Sequence, residues 1–115
     1  MADRIALPVT IANGTSVSGA VDLLGYDFIA VALPAAWTAA DLTFQTSADN
    51  VQYRNVYDGA ATPAEITVGA DADLWVQIPD TIFRQFGRFV RIRSGTSALA
   101  VNQGAERTLY VIGRC

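Results

Sequence analysis

Leu42-Thr-Phe-Gln-Thr-Ser-Ala-Asp-Asn-Val-Gln-Tyr53 reads as a β-hairpin, and that reading sets the fold class. Leu42, Phe44 and Thr46 alternate with Thr43, Gln45 and Ser47, a two-residue period that turns one set inward and the other outward. Ala48-Asp49-Asn50 supplies the turn, because Asp and Asn side chains bond to nearby backbone there. Val51 to Tyr57 returns along the first strand and ends at Asp58-Gly59.

The same period extends in both directions from the hairpin. Upstream, Ile5, Leu7, Val9 and Ile11 alternate with Arg4, Ala6, Pro8 and Thr10. Pro8 lacks a backbone N–H, so this strand belongs at a sheet edge or carries a bulge. Asn13-Gly14 is a turn signal between two strands, followed by a strand over about Ser16 to Leu23. Tyr26 to Leu33 is apolar on both faces, as a central strand covered on both sides should be. Trp37 to Asp41 has room for one helical turn.

Downstream of the hairpin, a short strand is expected over Glu65 to Val68. Another has Leu74, Val76 and Ile78 opposed to Trp75 and Gln77. Pro79-Asp80 suits the cap of a short helix, Thr81 to Phe86. Arg88 to Arg93 reads as a strand with Val90 and Ile92 inward and Arg91 and Arg93 outward in solvent. Ser94 to Gly104 is a polar loop, and Thr108 to Ile112 is the last strand. Seven or eight short strands with turns every 8–12 residues indicate a single all-β domain over residues 1–115, a two-sheet antiparallel β-sandwich or jelly roll.

The residue inventory bounds the chemistry. Of 115 residues, 51% are apolar and spread along the chain, so it is expected to fold rather than stay disordered. No apolar run reaches the roughly 18 residues of a membrane-spanning helix. Met1 to Arg4 does not lead into an apolar core, so no secretion signal is expected and synthesis is placed in a cytoplasm. All eight bases are Arg, against eleven acids, a net charge of −3. That balance argues against nucleic acid, whose binders concentrate basic charge. Arg suits bidentate carboxylate pairing and protein interfaces.

There is no His or Lys, and Cys115 is the only Cys. The usual general acid–base and covalent groups are therefore missing, and zinc lacks its ligands. Carboxylates remain, but most acids neighbour turn residues. Asp71-Ala72-Asp73 lacks the glycine and distal Glu of a calcium loop. No phosphate-binding glycine spacing occurs. The expectation is a non-enzymatic protein with no cofactor. If it binds carbohydrate, the rings to consider are Trp37, Tyr53, Tyr57 and Trp75, with Arg91 and Arg93 as polar partners.

Two segments resemble discoidin-like (galactose-binding-like) jelly rolls: the hairpin Leu42 to Tyr53, and Phe83-Arg-Gln-Phe-Gly-Arg-Phe-Val-Arg-Ile-Arg93 with its aromatic-Val-Arg-Ile strand. A broader similarity runs through Ser18-Gly-Ala-Val-Asp-Leu23, Leu33-Pro-Ala-Ala-Trp37, Leu42-Thr-Phe-Gln45, Arg91-Ile-Arg-Ser-Gly-Thr-Ser97, Val101-Asn-Gln103 and Arg107-Thr-Leu109. These stretches resemble small virion-associated structural proteins of tailed bacteriophages, of head-decoration or fibre-base type. That resemblance implies a homo-oligomer docked on the major capsid or another virion protein, without membrane insertion. A carbohydrate-binding module that attaches to a host-surface glycan is the alternative. Charged residues make up 17% of the chain, below the roughly 25% typical of soluble proteins, which leaves more neutral surface for partners.

Overall fold

The computed structural model describes residues 4–79 and 86–115. Eight strands form in them: β1 (Arg4–Ile11), β2 (Val21–Asp22), β3 (Asp27–Ala32), β4 (Leu42–Ser47), β5 (Arg54–Asn55), β6 (Trp75–Gln77), β7 (Phe89–Ser94) and β8 (Arg107–Arg114). Sheet A has the order β1-β8-β3-β6 and sheet B the order β2-β7-β4-β5. Every pairing is antiparallel. Each connection except the β4–β5 hairpin crosses from one sheet to the other, which is jelly-roll winding. The two-sheet antiparallel sandwich expected from the periodicity is the fold, with no helix among the described residues.

Alternation fills the space between the sheets. Ile11, Phe28, Val31, Leu109 and Val111 from sheet A meet Leu42, Phe44, Val90 and Ile92 from sheet B, all essentially inaccessible. Phe28 and Phe44 touch edge to face with ring centroids 5.6 Å apart, and Phe86 packs on both at 5.1 and 5.4 Å. The expected helix over 81–86 lies, apart from Phe86, outside the described residues. A register shift between Phe28 and Ala30 lets Phe28 and Val31 both point inward. Ala30 and Ala32 then fall on the outer face, opposite Ile112 and Tyr110.

Local chemistry explains the edges and corners. β1 is an edge strand, the first of the two places that Pro8 allows. The Thr10 carbonyl accepts the Gly19 N–H (3.2 Å) from outside the β1–β8 ladder. Even-numbered residues of β1 therefore turn their backbone groups to the free edge. Pro8 shares that parity, so its missing N–H costs no ladder bond and denies a donor to any strand arriving at that edge. Asn13-Gly14 does turn, with Gly14 at φ +77° and the Thr15 N–H on the Ala12 carbonyl (3.1 Å). It joins the two sheets rather than closing a hairpin. The expected strand over Ser16 to Leu23 shortens to β2 plus an isolated bridge from Val17 to Arg93. Trp37 to Asp41 forms no helical turn; the Trp37 Nε1–H reaches the Ala40 carbonyl (3.2 Å) instead.

One end of the sandwich is held by Gln103, which is 1% exposed. Its Oε1 accepts from the Thr38 N–H (2.8 Å) and from Arg107 Nε (3.2 Å). Its Nε2 donates to the Thr38 carbonyl (3.0 Å) and to Ser94 Oγ (2.6 Å). Its backbone pairs with Gly14 and Thr15, each at 2.9 Å. Replacing the amide strands several buried groups at about 1–3 kcal/mol for an unsatisfied one. Gln103→Leu should therefore lower unfolding free energy by about 3 kcal/mol in urea titrations; a loss near zero would mean the amide is not structural.

Candidate functional site

The outer face of sheet B is polar. Arg93 on β7 was expected in solvent, and the structure corrects this: it is 7% exposed. Its Nη1 donates to Glu65 Oε2 (3.2 Å) and its Nη2 to Asn55 Oδ1 (2.8 Å). Glu65 Oε1 also accepts the Ser97 N–H (3.0 Å), and Asn55 Oδ1 also accepts from Gln45 Nε2 (3.3 Å). The physical reason is the β5–β6 connection. Its residues 56–68 bond back to Leu42 and Phe44 of β4, with Ile66 closing onto Val56, and carry Glu65 over the end of β7. A buried pair of this kind is tolerated because its remaining lone pairs are satisfied.

Arg91, two residues earlier, is only partly buried. Its guanidinium carbon lies 3.9 Å from the centroid of the Tyr53 ring. The Tyr53 hydroxyl donates to Asn50 Oδ1, which anchors the ring to the hairpin turn. That turn is itself fixed. Asp49 Oδ1 accepts from the Val51 and Gln52 N–H groups (2.9 and 3.0 Å) and from the Ser47 hydroxyl (2.9 Å), with Asn50 at φ +61°. Arg91 Nε is buried without an acceptor among the described residues. An unsatisfied donor costs about 1–3 kcal/mol, and a cation over an aromatic face returns about 0.5–2. The ring offsets the desolvation, and among the described residues no carboxylate pairs with the charge.

The outer face of sheet A is different. Register places Ala6, Ile112, Ala30 and Gln77 in one row and Pro8, Tyr110, Ala32 and Trp75 in the next. Trp75 is 63% exposed and Tyr110 46%. Beside Trp75, a shallow groove of about 270 Å³ is lined by Arg4, Ile5, Ala6, Trp75 and Ile112. Arg114 and Asp27 pair across strands at the end of this face.

Of the six residues singled out from the sequence, Tyr53 and Arg91 are therefore in contact, with Arg93 on the same strand. Trp75 is on the opposite face of the sandwich. Trp37 packs against the core at the Gln103 end, and exposed Tyr57 lies on the β5–β6 connection beside Glu65. The reading missed Tyr110, although the Leu109, Val111 alternation marks it as outward. It also missed Glu65, Asn55 and Gln45, for which no local pattern exists. Among the described residues no three acidic or cysteine side chains converge as a metal site. Compared with known families, with curated proteins and with solved structures, the chain shows no match.

Three carboxyls are held below the usual aspartate range. Asp22 is lowered by the Arg88 guanidinium (two contacts of 2.9 Å) and the Leu24 N–H. Backbone N–H groups of Val51 and Gln52 lower Asp49, and those of Ala60 and Ala64 lower Asp58. Each is favoured in its charged form by folding. The stabilisation is complete above the unfolded value near about 3.9 and is lost as pH falls through the lower folded values. Melting temperature should be level from about pH 5 to 8 and fall below about pH 4. Asp49→Asn should flatten that fall in a calorimetric pH series; an undiminished fall would remove the Asp49 turn from the account.

Proposed function

We propose that the chain is a non-enzymatic structural component of a tailed-bacteriophage virion. It docks as a homo-oligomer on the major capsid or another virion protein, as a decoration, spike or fibre-base protein. The placement in a virion is supported by the sequence resemblance. The observation that carries docking is the outer face of sheet A, where Trp75 and Tyr110 stand exposed over a floor of Ala6, Ala30, Ala32 and Ile112. Large rings beside small side chains suit a flat protein contact, because aromatic anchors contribute most of the affinity in such interfaces. Pro8 on the free edge of β1 favours contact through faces over strand addition.

A second reading, attachment to a host-surface glycan, is favoured by the Tyr53–Arg91 stack on the other sheet. The two readings use opposite faces and are compatible in one particle-borne protein.

Mass spectrometry and immunogold microscopy of gradient-purified particles, released from cells that encode the chain, test the proposal. The protein should be present in fixed ratio to the capsid protein. Trp75→Ala with Tyr110→Ser should reduce its incorporation at least tenfold, on the scale of about 2 kcal/mol per aromatic anchor, without lowering its melting temperature. Absence from intact particles would overturn the proposal.

A further inference from the structure

Among the described residues, Arg91 is a cation with a buried and unpaired N–H. Arg88 has Asp22 as its carboxylate and Arg93 has Glu65. Arg91 lies between them in sequence, against Tyr53, and its buried Nε meets no acceptor among the described residues. It is also positioned from two sides. β7 fixes its backbone in the centre of sheet B, opposite Gln45 of β4. Tyr53 fixes its guanidinium, and the Tyr53 hydroxyl is tied to Asn50. A planar guanidinium held on a ring offers its remaining N–H groups in a set geometry, which matches a carboxylate better than a mobile cation does.

The neighbours of Arg91 decide what kind of carboxylate fits. Gln45 donates through Nε2 to Asn55 Oδ1, and that same oxygen accepts Arg93. These bonds leave Gln45 Oε1 and the Asn55 amide protons for other partners. Neutral amides with spare capacity beside an aromatic ring suit a ligand rich in hydroxyls, which stacks its C–H face and hydrogen-bonds its edge. A protein carboxylate would instead be met by an apolar surround, and that chemistry lies on sheet A.

We propose that the Tyr53–Arg91 stack on the outer face of sheet B binds a carboxylate-bearing sugar, a uronic or sialic acid, with the carboxylate on Arg91 and the hydroxyls on Gln45 and Asn55. This rests on the carbohydrate reading and narrows it to acidic glycans. It is independent of particle docking, which uses the opposite face. The site discriminates by charge, since a neutral sugar leaves the guanidinium without its counter-ion.

Two-dimensional amide NMR titrations of the full chain test it with four probes. Trigalacturonate is compared with its methyl ester, and sialyllactose with lactose. At least one acidic probe should shift Tyr53, Arg91 and Gln45, and should bind at least tenfold more tightly than its neutral counterpart. Arg91→Gln, with an otherwise unchanged spectrum, should abolish that preference. Equal binding of acidic and neutral probes would overturn this inference and leave the carbohydrate reading standing. Binding of none would overturn both. Tri-glutamate binding as tightly as the sugars would overturn the sugar assignment, and a preference that survives Arg91→Gln would overturn the site.

Discussion

Gln103 spends both donors and both acceptors of its amide on one end of the sandwich, and the geometry of the molecule depends on that arrangement. Thr38 leads into β4, Ser94 ends β7, Arg107 begins β8, and Thr15 follows β1. Two of those strands belong to sheet A and two to sheet B. Among the described strands β4–β5 is the one hairpin, so most strand neighbours are far apart in sequence and every other connection must span the gap between sheets. Hydrophobic burial pulls the sheets together without fixing how they are offset. A fully satisfied buried amide is directional, and it costs most when incompletely paired. It therefore sets the offset that side-chain packing leaves soft.

From that offset follow two outer faces of opposite chemistry. On sheet A the bulge in β3 turns Ala30 and Ala32 outward, and Tyr110 and Trp75 rise beside them. On sheet B the same alternation presents Arg91, Arg93, Gln45 and Asn55. There the β5–β6 connection folds back and buries Arg93 under Glu65. Arg91, one pleat away, escapes that cover and is left to Tyr53. The course of residues 56–68 thus separates an arginine buried against a carboxylate, Arg93, from one stacked on an aromatic ring, Arg91.

Much of the fold was legible because strands report themselves locally. The Leu42–Tyr53 hairpin, the edge position that Pro8 allows and the inward pair Val90 and Ile92 all follow from a two-residue period and turn chemistry. Arg93 was misread for the complementary reason. Alternation says which face a side chain takes, and not whether another segment covers that face. Its partner Glu65 is 28 residues away, and nothing in either neighbourhood announces the pair. The site was legible in part. Tyr53 and Arg91 were both singled out, but their contact is a tertiary fact. Trp37 and Trp75 looked equivalent as sequence, and one packs on the core while the other stands on the surface.

On the proposed function the two faces divide the labour, sheet A toward a particle and sheet B away from it. Hydroxyl-radical footprinting of the protein, free and on purified particles, measures this directly. Trp75 and Tyr110 should lose most of their labelling on the particle while Tyr53 keeps its own. Protection of Tyr53 with Trp75 and Tyr110 still labelled would contradict the account.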